Sequence, residues 1–144
     1  MHMNKNIYLL LFSLLLGVSV NAQVLRNEGK MNISGGNLVI SGSYQNESSG
    51  AITLDGIITL TGNWTNNSTT TGITSQGTNG EVVFNGSGTQ TIGGTAGECD
   101  FEKLTINSGS TTQVTAGKGV TAYGACTFTS PLILKSTTGV FKPQ

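Results

Sequence analysis

The chain has 144 residues, of which only 10% are charged, and its formal net charge is zero. A chain of this length is expected to form one domain. It has no excess of Lys and Arg over Asp and Glu, so its charge does not indicate nucleic-acid binding. The 21 glycines and the periodic β-branched residues indicate an ordered β-protein rather than a helical or disordered chain.

Residues 1–22 have the pattern of a secretory signal peptide. A short polar segment precedes an apolar run at 7–20, and Val20 and Ala22 stand at −3 and −1 of a cleavage site before Gln23. The run is short for a membrane-spanning helix, which needs about 20 residues. We therefore predict export with cleavage before Gln23 and no membrane span afterwards; an uncleaved anchor is the alternative.

The mature chain repeats one phrase of apolar residues, glycine, an aromatic residue and asparagine. It reads LVISGSYQN at 38–46 and ITLTGNWTN at 58–66, an offset of about 20 residues. No helix is predicted after residue 22, because apolar residues do not recur there at helical spacing. In chain order, the predicted strands are Ile33, 38–40, 51–54, 57–61, 81–84, 89–92, 101–107, 114–115, 120–124, 126–128 and 132–134, and the stretch 66–80, with a brief Ile73, is a polar connection.

Short strands repeated at this period predict an all-β fold. We expect a parallel β-helix, or β-solenoid, of about five short coils over residues 23–144. An antiparallel β-sandwich is the alternative, because its short strands have similar spacing. The chain ends just after a strand without a capping element, so we expect it to be truncated at its C-terminus. The glycines predicted to close successive strands are Gly42, Gly62, Gly86, Gly109 and Gly124.

The residues for common catalytic chemistry are scarce. The single histidine, His2, lies within the predicted signal peptide, so the mature chain lacks the base of a Ser-His-Asp triad and an imidazole metal ligand. Asp55 precedes Gly56 in a turn signal. Glu98, Asp100 and Glu102 form a small acidic cluster, for which a weak calcium site is the alternative interpretation. We predict no catalytic, cofactor or metal site and no enzymatic activity.

Two cysteines and two aromatic residues are the remaining candidates. In an oxidising compartment Cys99 and Cys126, a little over one coil apart, could form a disulfide. Alternatively, Cys126 aligns with Trp64 in the repeated phrase and is a buried apolar residue. Tyr44 and Trp64 could stack on a sugar, but their shared place in the repeat favours a packing ladder between coils.

Thr-x-Thr pairs at Thr59/Thr61 and Thr89/Thr91 raise the possibility of a flat ice-binding face. Such a face needs the pairs in register on successive coils. The expected neighbours of Thr59/Thr61 are Val39/Ser41 on one side and Val83/Asn85 on the other, which breaks the rank of threonines and argues against the idea.

Three segments, 82–92, 101–107 and 126–136, carry a family resemblance. Together they make the stretch 80–136 similar to a recurring unit of large secreted surface proteins of Gram-negative bacteria that use the type IX route. The resemblance implies a repetitive β-rich region followed by further modules and a C-terminal sorting domain, and it brings no catalytic residues. That sorting domain is not in this chain, so a periplasmic location is the alternative to the cell surface.

These observations predict a non-enzymatic structural or adhesive β-repeat module, secreted or held at the cell surface. Its expected partners are a glycan or an extracellular protein, and no cofactor is implied. The alternatives are a carbohydrate-binding module and the N-terminal fragment of a solenoid enzyme that acts on polysaccharides. Glycan binding that is lost on Trp64→Ala would favour the binding module.

Overall fold

The computed structural model describes residues 23–69, 73–74, 79–107, 109, 111–115, 118–134 and 140–143. The predicted signal peptide, 1–22, lies outside these residues. The described residues form strands and no helix. The strands are β1 Gln23–Asn27, β2 Lys30–Ile33, β3 Asn37–Ile40, β4 Gly42–Asn46, β5 Ala51–Leu54, β6 Ile57–Leu60, β7 Trp64–Asn66, β8 Ile73–Thr74, β9 Glu81–Phe84, β10 Thr89–Gly93, β11 Glu98–Phe101, β12 Lys103–Ile106, β13 Thr111–Val114, β14 Gly119–Ala122, β15 Cys126–Phe128, β16 Leu132–Leu134 and β17 Val140–Pro143.

The strands stack as a parallel β-solenoid of about five turns, with three strands in each coil. Wall 1 contains β1, β4, β7, β10, β13 and β16, and wall 3 contains β3, β6, β9, β12 and β15. Wall 2 is divided: β2, β5 and β8 form one sheet, and β11, β14 and β17 form another. Every described strand pair is parallel, so the solenoid prediction is confirmed and the antiparallel sandwich is wrong.

The repeated phrase predicted the register correctly through the first coils. Leu38 pairs with Ile58, and Val39, Thr59 and Val83 follow one another in wall 3. Along this wall, successive coils are offset by 20, 24, 22 and 22 residues. The corners absorb these differences in length, so the strands keep their pairing although the sequence period varies.

One predicted corner glycine is misplaced. Gly42, Gly62, Gly86 and Gly109 all follow strands of wall 3, as the repeat predicted. Gly124 instead follows β14 of wall 2, because each coil has three similar strand-and-corner units and the sequence does not distinguish between them.

The core fills the space between the walls. Each strand alternates inward and outward residues, and the inward side chains of neighbouring coils contact one another in rows. In wall 3 these side chains are almost fully buried from Ile58 to Ile106. Tyr44 and Trp64 stack with ring centroids 4.4 Å apart, and Phe101 meets Trp64 edge-on at 5.5 Å. The core therefore has an aromatic centre that joins coils across walls 1 and 2.

Candidate functional site

The outer surface of wall 3 is the most regular face of the described solenoid. Consecutive strands from β3 to β12 pair at all four of their positions, and β12 pairs with β15 at three. One outward position is occupied in successive coils by a β-branched residue. This first file consists of Val39, Thr59, Val83, Thr105 and Thr127.

A second file lies two residues further along the chain, at the corner that follows each strand. Backbone hydrogen bonds continue the ladder into it: Thr61 N donates to Ile40 O at 3.2 Å and Asn85 N donates to Leu60 O at 2.9 Å. The same bond joins Asn107 N to Phe84 O and Thr129 N to Ile106 O, at 3.0 Å each. The second file therefore keeps the register of the first. Its members are Ser41, Thr61, Asn85, Asn107 and Thr129.

We call these ten residues the wall 3 array. They include no ionisable and no aromatic side chain. Val39 is 67% exposed, and the other members are exposed or half-buried. Some side chains are fixed by hydrogen bonds: Asn107 Nδ2 donates to Asn85 Oδ1 at 2.9 Å, and Thr105 Oγ1 donates to Glu81 Oε1 beside the array at 2.6 Å. The array is thus uncharged, ordered and open to solvent.

A second candidate is an open groove of about 410 Å³ where wall 2 is divided. Its lining comprises 67–69 and 95–98. Asn67 spans it, since its Oδ1 accepts a hydrogen bond from Thr95 N at 3.0 Å. Glu98 is the one carboxylate among the lining residues, and its Oε1 accepts a 2.5 Å hydrogen bond from Thr121 Oγ1. A single carboxylate engaged in this way does not form the carboxylate pair of a glycosidase.

Tyr44 and Trp64, the predicted glycan-stacking residues, are not on the surface. Tyr44 is fully buried and Trp64 is 2% exposed, because both point into the core from wall 1. Burial raises the pKa of Tyr44 to about 12. Neither ring face can reach a sugar in this structure, so stacking on glycans by this pair is wrong and the packing ladder between coils is observed.

The predicted cysteine pair is also not formed. Cys99 and Cys126 are both free: Cys99 is buried in wall 2, and Cys126 is half-buried in wall 3. Burial raises the pKa of the Cys99 thiol to about 12, which makes it a poor nucleophile. The alignment of Cys126 with Trp64 is wrong, since Cys126 pairs with Leu104 in a different wall. It does pack against the core, as the alternative interpretation expected.

The acidic residues are distributed along the outside of one coil. Glu98 and Asp100 occupy outward positions of β11, and Glu102 lies at the next corner. Tyr123 OH donates to Asp100 Oδ2 at 3.4 Å, and the charge of Asp100 raises the pKa of that phenol. Asp55 lies in the turn between β5 and β6, as predicted. Within the described residues, no group of three or more His, Cys, Asp and Glu side chains could hold a metal ion.

A largely buried asparagine ladder was not predicted from the sequence. Asn27, Asn46 and Asn66 are aligned at the end of wall 1. Asn27 Nδ2 donates to Asn46 Oδ1 at 2.9 Å, and Asn46 Nδ2 donates to Asn66 Oδ1 at 3.3 Å. The recurrence of asparagine at the end of the repeated phrase was the available signal. The ladder instead links three coils through their side chains.

A buried glutamine has a related role at the opposite end of wall 1. Gln90 Oε1 accepts a hydrogen bond from Gly86 N at 2.8 Å, and Gln90 Nε2 donates to Gly62 O at 2.5 Å. One amide thus satisfies backbone groups at two successive corners. Nothing in the sequence pattern distinguished Gln90 from a solvent-facing residue of its strand.

Comparison with known proteins finds no match: no family model, no curated protein and no solved structure is significantly similar to this chain. In the described part of the chain, no helix is long and apolar enough to cross a membrane.

Proposed function

We propose that this protein is a non-enzymatic structural or adhesive β-repeat module of a secreted or cell-surface protein. One observation supports this above all: in-register parallel strands around a filled core make the described chain a stiff column with extended outer faces. Such columns present binding surfaces rather than an enclosed pocket. The outer faces are the part of the molecule available to a partner, and we expect that partner to be a glycan or an extracellular protein.

The location is tested by tracing the protein in its own cells. We expect the mature chain to begin at Gln23 and to be degraded when intact cells are treated with a protease. Cleavage only after the outer membrane is permeabilised would place the protein in the periplasm instead. A cytoplasmic protein that keeps Met1 would contradict the proposal.

The adhesive role is tested by deleting the gene and measuring attachment of the cells to glycan-coated and protein-coated surfaces. We expect attachment to fall, and to recover when the wild-type chain is supplied. Unchanged attachment would leave a purely structural role. Hydrolysis of a polysaccharide by the purified chain would overturn the non-enzymatic assignment.

Trp64→Ala does not provide a clean test of the carbohydrate-binding alternative. Truncating a buried tryptophan costs about 3–5 kcal/mol, so lost binding would report unfolding. Substitution of Asn67 at the groove is the sharper variant, because its side chain spans the opening that a glycan would enter.

A further inference from the structure

We propose that the outer face of wall 3 binds the surface of ice through the ten residues of the wall 3 array. This inference concerns a ligand and does not depend on where the protein is located. The sequence alone argued against such a face, because Thr59/Thr61 lies between Val39/Ser41 and Val83/Asn85. The structure confirms that alignment but extends it by two coils, to Thr105/Asn107 and Thr127/Thr129.

The extension changes the chemistry of the first file. All five of its members are valine or threonine, so a β-branched residue that carries a methyl group recurs in each of the five coils. The restricted χ1 of β-branched residues holds these methyl groups in place. Neighbouring strands fix their separation at about 4.8 Å. In two of the five coils valine stands in place of threonine. The hydroxyl is absent there, but a methyl group is still present.

The second file supplies the polar partners. Ser41, Thr61 and Thr129 carry hydroxyls, and Asn85 and Asn107 carry amides. These groups can hydrogen-bond water directly, while the adjacent methyl groups restrict the orientation of the water over them. Alternating apolar and polar groups at a fixed repeat favour ordered water, and ordered water at this face can merge with an ice lattice.

The composition of the array disfavours other partners. Phosphate-bearing ligands need Lys or Arg, and the array has neither. The centres of protein interfaces are enriched in aromatic residues, Met and Arg, and sugars are commonly bound against aromatic rings; the array lacks all of these. Its nearest ionisable neighbours on the outside of wall 3, Glu81 and Lys103, lie in the adjacent outward row, where Glu81 Oε1 accepts the hydrogen bond from Thr105 Oγ1. An uncharged, periodic ligand remains, and ice is such a ligand.

The test is ice affinity of the purified protein. Ice is grown slowly from a solution that also contains an inert carrier protein, and the two proteins are measured in the ice and in the liquid. We expect the wild type to be enriched in the ice relative to the carrier. Thr59→Lys and Thr127→Lys place a charge in the first file and should each lower the enrichment to the carrier level.

The matched control is Thr53→Lys, which places the same charge on the outer face of wall 2. It should leave the enrichment unchanged. Circular dichroism checks that the variants fold, and Thr127, on the exposed strand β15, provides a second position if Thr59→Lys does not fold.

Three results would overturn the inference: a wild type that is not enriched, enrichment that survives both wall 3 substitutions, or equal loss in the wall 2 control. Sedimentation and a cellulose or chitin pull-down are run in parallel. A wild type that stays in the liquid while it dimerises or binds the polysaccharide would assign the face to that partner instead.

Discussion

Asn46 makes more side-chain hydrogen bonds than its small size suggests. Its Oδ1 accepts from Asn27 Nδ2 at 2.9 Å and from the Tyr44 hydroxyl at 3.0 Å, and its Nδ2 donates to Gly50 O at 3.0 Å and to Asn66 Oδ1 at 3.3 Å. The side chain is 1% exposed, so water cannot replace these partners.

Asn46→Ala should therefore lower the free energy of unfolding. Each buried group left without a partner costs about 1–3 kcal/mol, and the variant removes the shared partner of several groups at once. Urea denaturation followed by tryptophan fluorescence measures the loss. Asn32→Ala, at an exposed outward position of β2, should change the stability by about 0.5 kcal/mol or less. Equal effects of the two substitutions would contradict the role of the ladder.

Glu47 connects three coils at the surface. Its carboxylate accepts hydrogen bonds from Arg26, at 2.6 and 2.9 Å, from Gln45 at 2.7 Å and from Asn67 at 3.4 Å. These bonds, that of Arg26 first, lower the pKa of Glu47 below its ordinary value of 4.5. A carboxyl with a depressed folded-state pKa stabilises the fold above its unfolded pKa and loses that contribution as the pH falls through the folded value.

We therefore predict that stability falls in acid partly through Glu47. The difference in stability between the wild type and Glu47→Gln should be constant above the ordinary carboxyl pKa and should shrink as the pH falls below it. Thermal melts across that range measure the difference. A gap between the two proteins that stays constant into acid would contradict the prediction, and Glu28→Gln, at a more exposed carboxylate near Arg26, serves as the control.

The elements were predictable where burial alternates. The strands 51–54 and 57–61 were found because an inward apolar residue recurs at every second position, and the phrase repeat placed β3 against β6. The wall to which a strand belongs was not predictable, since Gly124 and Cys126 resemble units of another wall and only backbone pairing distinguishes them. The asparagine ladder and Gln90 were not predicted, because the residue type alone does not show whether an amide side chain is buried or exposed to solvent.

The end of the asparagine ladder depends on a glycine just after β10. Gly94 has φ of +121°, and a Cβ there would overlap the backbone of Asn66 in the coil before. Both the backbone conformation and the close approach of the two coils therefore require glycine.

Gly94→Ala should destabilise the protein by about 1–3 kcal/mol, the usual cost of a residue held in an unfavourable backbone region. Gly88→Ala is the matched control, because a Cβ at Gly88 has no neighbour within 4 Å. Chemical denaturation of the two variants measures the difference. If Gly94→Ala left the free energy of unfolding unchanged, the two coils could move apart at this position without loss of stability.

Among the described residues, the solenoid is continuous along two of its walls and divided along the third. Walls 1 and 3 run through the described coils, whereas in the described part of wall 2 β11 pairs with β14 and not with β8. Beside the division, Ala96 N donates to Asn66 O at 3.0 Å and Asn66 Nδ2 donates to Glu98 O at 3.5 Å. Because Asn66 ends β7, these bonds attach the start of β11 to wall 1 of the preceding coil.

Hydrogen exchange should reveal this division. Among the amides of Glu98–Phe101, those directed toward β8 should exchange faster than the amides of Lys103–Ile106, which lie in the same coil but pair with strands on both sides. Amide-resolved exchange by NMR makes the comparison within one molecule. Equal protection of the two strands would show that the division carries no energetic weakness.

The parallel register has a consequence for how such a molecule can change its length. Except at the division of wall 2, neighbouring coils pair through the same three strand ladders. The offset between paired residues varies from 19 to 28 along wall 1 and from 20 to 24 along wall 3, and the corners accommodate these differences. Duplicating one internal coil in the gene would move all later coils by about 4.8 Å and leave most contacts within them unchanged. Duplication of coils can therefore adjust the length of the column in small, nearly equal steps of one coil.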